Sequence, residues 1–142
     1  MKKILGLDLG TKTIGIASTE ELGLAAHPRE TFRFEEFNYK KARLYVIELC
    51  QKEDIEEIAL GIPYYASGDI SPRAQSCIRF KDDLLKLNPN LKITLIDESY
   101  STIEADELLK QLNLSYKKRK DIVDELAATV ILNRYLESRG NK

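Results

Sequence analysis

Three acidic positions in this sequence stand where local rules would not place them. Asp8 lies inside ILGLDLG, an apolar stretch that reads as a β-strand, where aspartate is disfavoured. Period-two counting sets it on one face with Gly6 and Gly10, while Leu5, Leu7 and Leu9 take the other. The glycines leave space above the carboxylate. Gly15 on the next strand enlarges that space if the two strands pair as a hairpin, so that a phosphate or a metal could approach the backbone. The plainer alternative is an aspartate capping the Gly10-Thr11 turn. Asp97 and Glu98 stand at the carboxyl end of LKITLIDE, the end at which open α/β sheets bind ligands. Being adjacent they point to opposite faces, so only one can easily join Asp8, and either could instead cap a helix starting at Ser101. Asp124 falls in the first turn of a last helix expected from about Asp121 to Glu137. It shares the inward face with Ala127, Ala128, Ile131 and Tyr135. Asp121 and Glu125 are explained as first-turn acids favoured by the helix macrodipole; Asp124 points inward and is not.

Separated acids that converge repel one another unless a divalent cation sits among them. Carboxylate oxygens suit hard ions, Mg²⁺ or Mn²⁺, and ions held in this way activate water and stabilise the leaving oxygen in phosphodiester hydrolysis. The basic residues fit a nucleic-acid partner. Lys117, Lys118, Arg119 and Lys120 form a loop before Asp124 that could grip backbone phosphates or simply be solvated. Lys12 beside the first turn and Arg73 on a helix after the Ser-Gly-Asp loop join them as candidates, and Arg79 could add to the patch or face water. Tyr64-Tyr65 could stack on bases or pack.

The elements that must position these groups follow from periodicity and punctuation. KILGLDLG, TIGIAST and a run around ETFRFE read as a three-strand antiparallel meander, with His27-Pro28 in a turn. Asn38 can cap a helix whose stripe is Ala42, Tyr45, Val46, Leu49 and Cys50. EEIALGIP is the next strand. Ser71-Pro72 opens a helix through about Leu87, which Asn88-Pro89-Asn90 ends. LKITLIDE follows, then a capping box at Ser101-Thr102-Ile103-Glu104 and the last helix. The expected architecture is α/β, with a five-stranded mixed sheet, an antiparallel meander followed by parallel strands, and helices on both faces.

The 142 residues, 43% hydrophobic and 32% charged, fit one domain with a core that needs no staples. Cys50 and Cys77 lack the spacing of a zinc or redox pair and read as buried thiols. His27 is the only histidine, which excludes multi-histidine metal sites. No run reaches the ~20 apolar residues of a membrane span and no signal peptide is evident, so a cytoplasmic protein is expected. With net charge −1 any nucleic-acid binding must be local.

GLDLGTKTIGIAST, GIP followed by SGDISPRAQSCIRF, IDESYST and KDIVDELAATVIL together resemble, in order and spacing, the YqgF family of Holliday-junction-resolvase-like proteins regarded as pre-16S rRNA nucleases. The resemblance covers nearly the whole chain. It implies a ribonuclease H-like fold and a metal-dependent endonuclease that matures the 5′ end of precursor 16S rRNA, with Asp8, Glu98 and Asp124 as catalytic metal-binding acids. Two segments depart from the family pattern: Ser99 stands where an arginine is usual, and Tyr64-Tyr65-Ala66-Ser67 replaces an asparagine-containing loop. A DNA-junction resolvase, acting as a dimer where rRNA trimming could use a monomer, is the first alternative. GLDLGTKT also resembles the phosphate-binding strands of the actin, heat-shock chaperone and sugar-kinase ATPases, but 142 residues supply one of their two lobes. A non-catalytic nucleic-acid-binding subunit is the third reading.

Overall fold

The computed structural model describes residues 2–63, 70–98, 107, 110–111 and 115–140. Among these, five strands form one sheet: β1 (Ile4–Leu9), β2 (Thr13–Thr19), β3 (Ala26–Arg33), β4 (Glu57–Ile62) and β5 (Lys92–Asp97), in the order β3-β2-β1-β4-β5. β1, β2 and β3 pair antiparallel, while β4 and β5 join β1 in parallel, which is the mixed topology the sequence predicts. Parallel pairing needs crossovers, and α1 (Tyr39–Glu53) and α2 (Pro72–Leu87) supply them. Both pack on one face. Leu5, Leu7, Leu9, Ile14, Ile16, Ile58, Leu60 and Ile62 meet Ala42, Val46, Cys50, Ala74, Phe80 and Leu84 there. A third helix, α3 (Tyr116–Gly140), covers the opposite face with Ala128, Ile131, Leu132 and Tyr135 against Ile4, Ala17 and Ala59. No helix among the described residues is long and apolar enough to cross a membrane.

Local chemistry explains most boundaries. The Ser71 hydroxyl accepts from the Ala74 N–H at 3.0 Å with Pro72 in the first turn, which fixes the start of α2. Asn38 occupies the cap position of α1 but makes no side-chain cap bond; α1 instead ends in a left-handed cap at Asp54, whose N–H reaches the Cys50 carbonyl. Cys50 and Cys77 are free and buried, and burial pushes their thiols up to about 11 and about 12.

Two expectations are corrected. His27 and Pro28 lie within β3, not in a turn. Pro28 sits opposite Ala17 beside a bulge, on an edge strand, where a residue without an N–H is tolerated. The run Lys117–Lys120 lies within α3, which begins at Tyr116, and is not a loop before it. Lysine and arginine are strong helix formers and no proline or glycine interrupts them. Asp121, Asp124 and Glu125 are therefore not first-turn acids, and the macrodipole does not account for them. The Tyr64-Tyr65 segment, Ser99 and the capping box at Ser101–Glu104 lie outside the described residues.

Candidate active site

Asp8 is set between glycines. It pairs with Gly15 of β2, and the register of β1 on β4, carried on by one residue from Leu7 opposite Leu60, brings Gly61 to its other side. Asp8 and Glu98 are each 8% exposed, whereas Asp97 is exposed, so Glu98 is the one of the adjacent acids that turns inward, as alternation requires. The Glu98 N–H donates to the Ile62 carbonyl at 3.1 Å, continuing the β4 ladder beyond the end of β5. That places its carboxylate over Gly61, where an added Cβ would lie 2.6 Å from Oε2. Gly61 is a site residue that sequence reasoning misses, although it carries the same signal as Gly15: a glycine inside a buried strand.

The glycines serve a purpose other than the one expected. Gly15 pairs with Asp8 as anticipated, but the space above it holds α3 itself. A Cβ on Gly15 would come 3.0 Å from the Glu125 backbone nitrogen and closer still to the carbonyl of Asp124. A Cβ on Gly6 would meet Leu132 Cβ at 2.7 Å and the Ala128 carbonyl at 2.9 Å. Their small size lets the helix backbone settle on the sheet. Asp124 thereby arrives at the site, with its Oδ2 accepting from the Thr13 hydroxyl at 2.9 Å. Thr13 is a second residue that sequence reasoning misses, since a hydroxyl at the start of a strand gives no distinctive signal.

Electrostatics couple these groups. Burial first, then the charge of Glu98 and a hydrogen bond to it, then the charge of Asp124, hold the Asp8 carboxyl well above the usual carboxylate range, with Arg73 opposing. Glu98 Oε2 is buried with no hydrogen-bond partner among the described residues. Two buried carboxylates in this relation, one with an orphaned oxygen, are an all-oxygen donor set that suits a hard dication. The fit is of a pair with a third acid in reserve: among the described residues no three histidine, cysteine, aspartate or glutamate side chains are gathered closely enough to hold one ion. Asp124 acts on Asp8 through its charge but is held by Thr13.

Of the basic candidates, Arg73 points into the site. Its Nη2 donates to the Leu9 carbonyl at 3.0 Å and lies 3.9 Å from Glu98 Oε1, with the side chain about half exposed. Lys12, in the β1–β2 turn, pairs loosely with Glu36 at 3.6 Å, both exposed. Lys117, Lys118, Arg119 and Lys120 fall on the first turns of α3, the helix that delivers Asp124. His27 is exposed and faces Glu20 at 3.6 Å, remote from any nucleophilic arrangement.

A five-stranded sheet of this order with acids on β1, after β5 and on the helix across its face defines the ribonuclease H-like class. Solved structures of the same fold include Thermus thermophilus RuvC in complex with a Holliday junction substrate (TM-score 0.62, 14% identity, covering 100% of this chain and 98% of that one). A second is the Fowlpox virus resolvase with Holliday junction DNA (TM-score 0.60, 14% identity, 96% and 98%). The family profile RuvX, described as Holliday junction resolvase, matches residues 2–138. A relative from Bacillus cytotoxicus named "Putative pre-16S rRNA nuclease" is 40% identical over 141 residues, covering 96% of this chain and 99% of the relative. One of the same name from Bacillus thuringiensis is 38% identical over 137 residues, with the same coverage. The chain belongs to the RuvX (YqgF) family of nucleases.

Proposed function

We propose that this protein is a single-domain, metal-dependent endonuclease of the cytoplasm that hydrolyses phosphodiester bonds in maturing the 5′ end of precursor 16S rRNA. The observation that carries the reading is the buried Asp8–Glu98 pair with its orphaned oxygen, in a chain 40% identical to a relative bearing the pre-16S rRNA nuclease name. Asp8 and Glu98, joined by Asp124, would hold Mg²⁺ or Mn²⁺, which when bound supplies an activated water and charge stabilisation at the leaving oxygen. The chain's own residues do the rest. Arg73, braced on the Leu9 carbonyl, presents a guanidinium beside the acids that can take a phosphate oxygen without leaving its anchor. Thr13 fixes the orientation of the Asp124 carboxylate. Lys12 and the basic first turns of α3 position the substrate backbone without reading bases.

A second reading, hydrolysis at a DNA four-way junction by a dimer, is favoured by the description of the family and by the junction-bound proteins that share the fold. One experiment separates the two. Wild type, Asp8→Asn and Glu98→Gln are given a precursor 16S 5′-end transcript and a synthetic four-way junction, each in Mg²⁺ and in chelator, with light scattering in parallel. Cleavage of the transcript alone, abolished by chelator and by each substitution, is the expected result. Cleavage of the junction alone by a dimer transfers the assignment to DNA, and an active Asp8→Asn protein refutes the site.

A further inference from the structure

Phe37 is unfavourably placed in two respects. It is 62% exposed, and its backbone sits at φ 64°, a region where a side chain with a Cβ is strained and which glycine or asparagine occupies readily. The other non-glycine residue at positive φ among the described residues, Asp54, is explained by the left-handed cap of α1. Phe37 ends no helix. Strain of this kind persists where surrounding structure enforces it, and here it does. The Phe37 N–H donates to the Thr11 carbonyl at 2.8 Å and the Phe34 N–H to the Lys12 carbonyl at 2.9 Å. The segment is thus tied to the turn whose two flanks carry Asp8 and Thr13. The ring is oriented from the core outward: it stands edge-on to Tyr39 with centroids 6.3 Å apart, and Tyr39 stands edge-on to the buried Phe34 at 6.0 Å.

We propose that Phe37 is a stacking platform for an unpaired nucleobase of the bound substrate. This rests on the nucleic-acid reading above and names an interaction it does not contain. Bases of every identity have a π-face, and an exposed aromatic ring held at a fixed angle on a segment tied to the β1–β2 turn gives a splayed base a place without sequence reading. The charges agree. Glu35 and Glu36 precede the ring in the chain and disfavour phosphate directly over it, whereas a base face is uncharged; Lys12, whose pairing with Glu36 is exposed and exchangeable, is the group in the adjoining turn that can take the neighbouring phosphate. A lone ring is too little apolar surface for the centre of a protein interface.

The test uses the full-length protein and an RNA hairpin with a single-stranded 5′ flank that carries 2-aminopurine at successive unpaired positions. Wild type and Phe37→Trp are expected to bind it and quench the fluorophore at one or two adjacent positions. Phe37→Leu, apolar but without a π-face, should bind about 5- to 150-fold more weakly, with no quenching and an unchanged salt slope because every phosphate partner is retained. Phe37→Asn should do the same while melting no lower than wild type, which shows that folding is intact. Wild-type binding and quenching that Phe37→Leu shares overturns the platform alone. A wild type that binds neither this RNA nor a four-way junction overturns the nucleic-acid reading and the platform with it. Unaltered RNA binding by Phe37→Leu with a changed oligomeric state assigns the ring to a protein interface and also overturns the proposal.

Discussion

Replacing Gly15 by alanine adds one methyl group to the sheet, and the structure gives it nowhere to go. Its Cβ would stand 3.0 Å from the Glu125 nitrogen and nearer still to the Asp124 carbonyl carbon and oxygen, all of them main-chain atoms inside a helix. No side-chain rotation relieves such a clash. Because comfortable separation is about 3.5 Å or more, α3 and β2 must part locally by more than about 1 Å. Overpacking typically costs about 1–3 kcal/mol, and with two rigid backbones as the clashing parties the upper end, about 3 kcal/mol, applies. In a domain of this size that lowers the melting temperature by roughly 6–12 °C. The functional effect is more specific, since the displaced residue is Asp124: a shift of as little as about 1 Å from its place beside Thr13 should lower cleavage on the order of 100-fold even where the protein is fully folded. Urea unfolding, thermal melts and cleavage assays at about 20 °C measure the two effects separately. Gly10→Ala is the control, because its Cβ would meet only Thr13, at 3.3 and 3.4 Å. A Gly15→Ala protein that melts and cleaves like Gly10→Ala would refute the argument that this glycine exists to seat the helix.

Further outcomes follow from the electrostatics. Asp8, whose carboxyl is raised chiefly by burial and then by Glu98, keeps its proton to higher pH in the native state than in the unfolded chain. Its stabilising contribution is therefore complete below the ordinary value of 3.8 and is lost as pH rises through the folded value. Asp8→Asn in chelator should raise the melting temperature near neutral pH and leave it nearly unchanged about one unit below that ordinary value; a uniform shift at both would contradict the repulsion. Glu53 is the opposite case. It accepts from Arg29 at 2.7 and 2.5 Å and from Lys3 at 2.9 Å, and the Arg29 bonds lead in holding its carboxyl down to about 2. That stability is present above its ordinary 4.5 and lost as pH falls toward 2, so Glu53→Gln should cost about 2 kcal/mol near neutral pH after screening is allowed for, and almost nothing at about pH 2. Changing Lys117, Lys118, Arg119 and Lys120 together to glutamine should flatten the salt dependence of nucleic-acid binding by up to about 0.9 in the log–log slope for each phosphate no longer neutralised; equal slopes would return these residues to solvent.

How much of this is legible in the sequence depends on which physical effect decides each element. β1, β2, β4, β5 and α2 are readable because period, turn residues and a Ser-Pro cap all agree in them. That Glu98 is the inward acid is implied by the family resemblance and not by the spacing, whereas the face of Asp8, and the rule that only one of Asp97 and Glu98 turns inward, follow from alternation. The start of β3 does not, since Pro28 signals a turn unless one knows that the strand lies at the sheet edge, a property of the whole topology. The start of α3 is hidden because a basic run reads equally as loop or helix, and the choice rests on propensity. The glycines advertise the right property, absence of a side chain, but not its occupant, because what fills the space above Gly15 comes from a residue more than a hundred positions away. Gly61 carries the same local signal as Gly15, a glycine inside a buried strand, but its role depends on a partner distant in sequence; Thr13 and Phe37 matter only through such neighbours, and nothing local distinguishes them.

The placement of the acids also has a consequence in time. Asp8 belongs to the first strand and Asp124 to the last helix, and that helix covers an entire face of the sheet. A chain still being synthesised can pair β1 with β2 and β4 long before α3 leaves the ribosome, and N-terminal elements form first at synthesis rates of about 5–20 residues per second. Until then Ala17 and Ala59 have no cover and the third carboxylate is missing. On the proposed reading, in which Asp124 completes the acid set, a product that ends before Tyr116 lacks both the cover of one sheet face and that acid, so it should neither pack fully nor cleave, and competence comes late in synthesis.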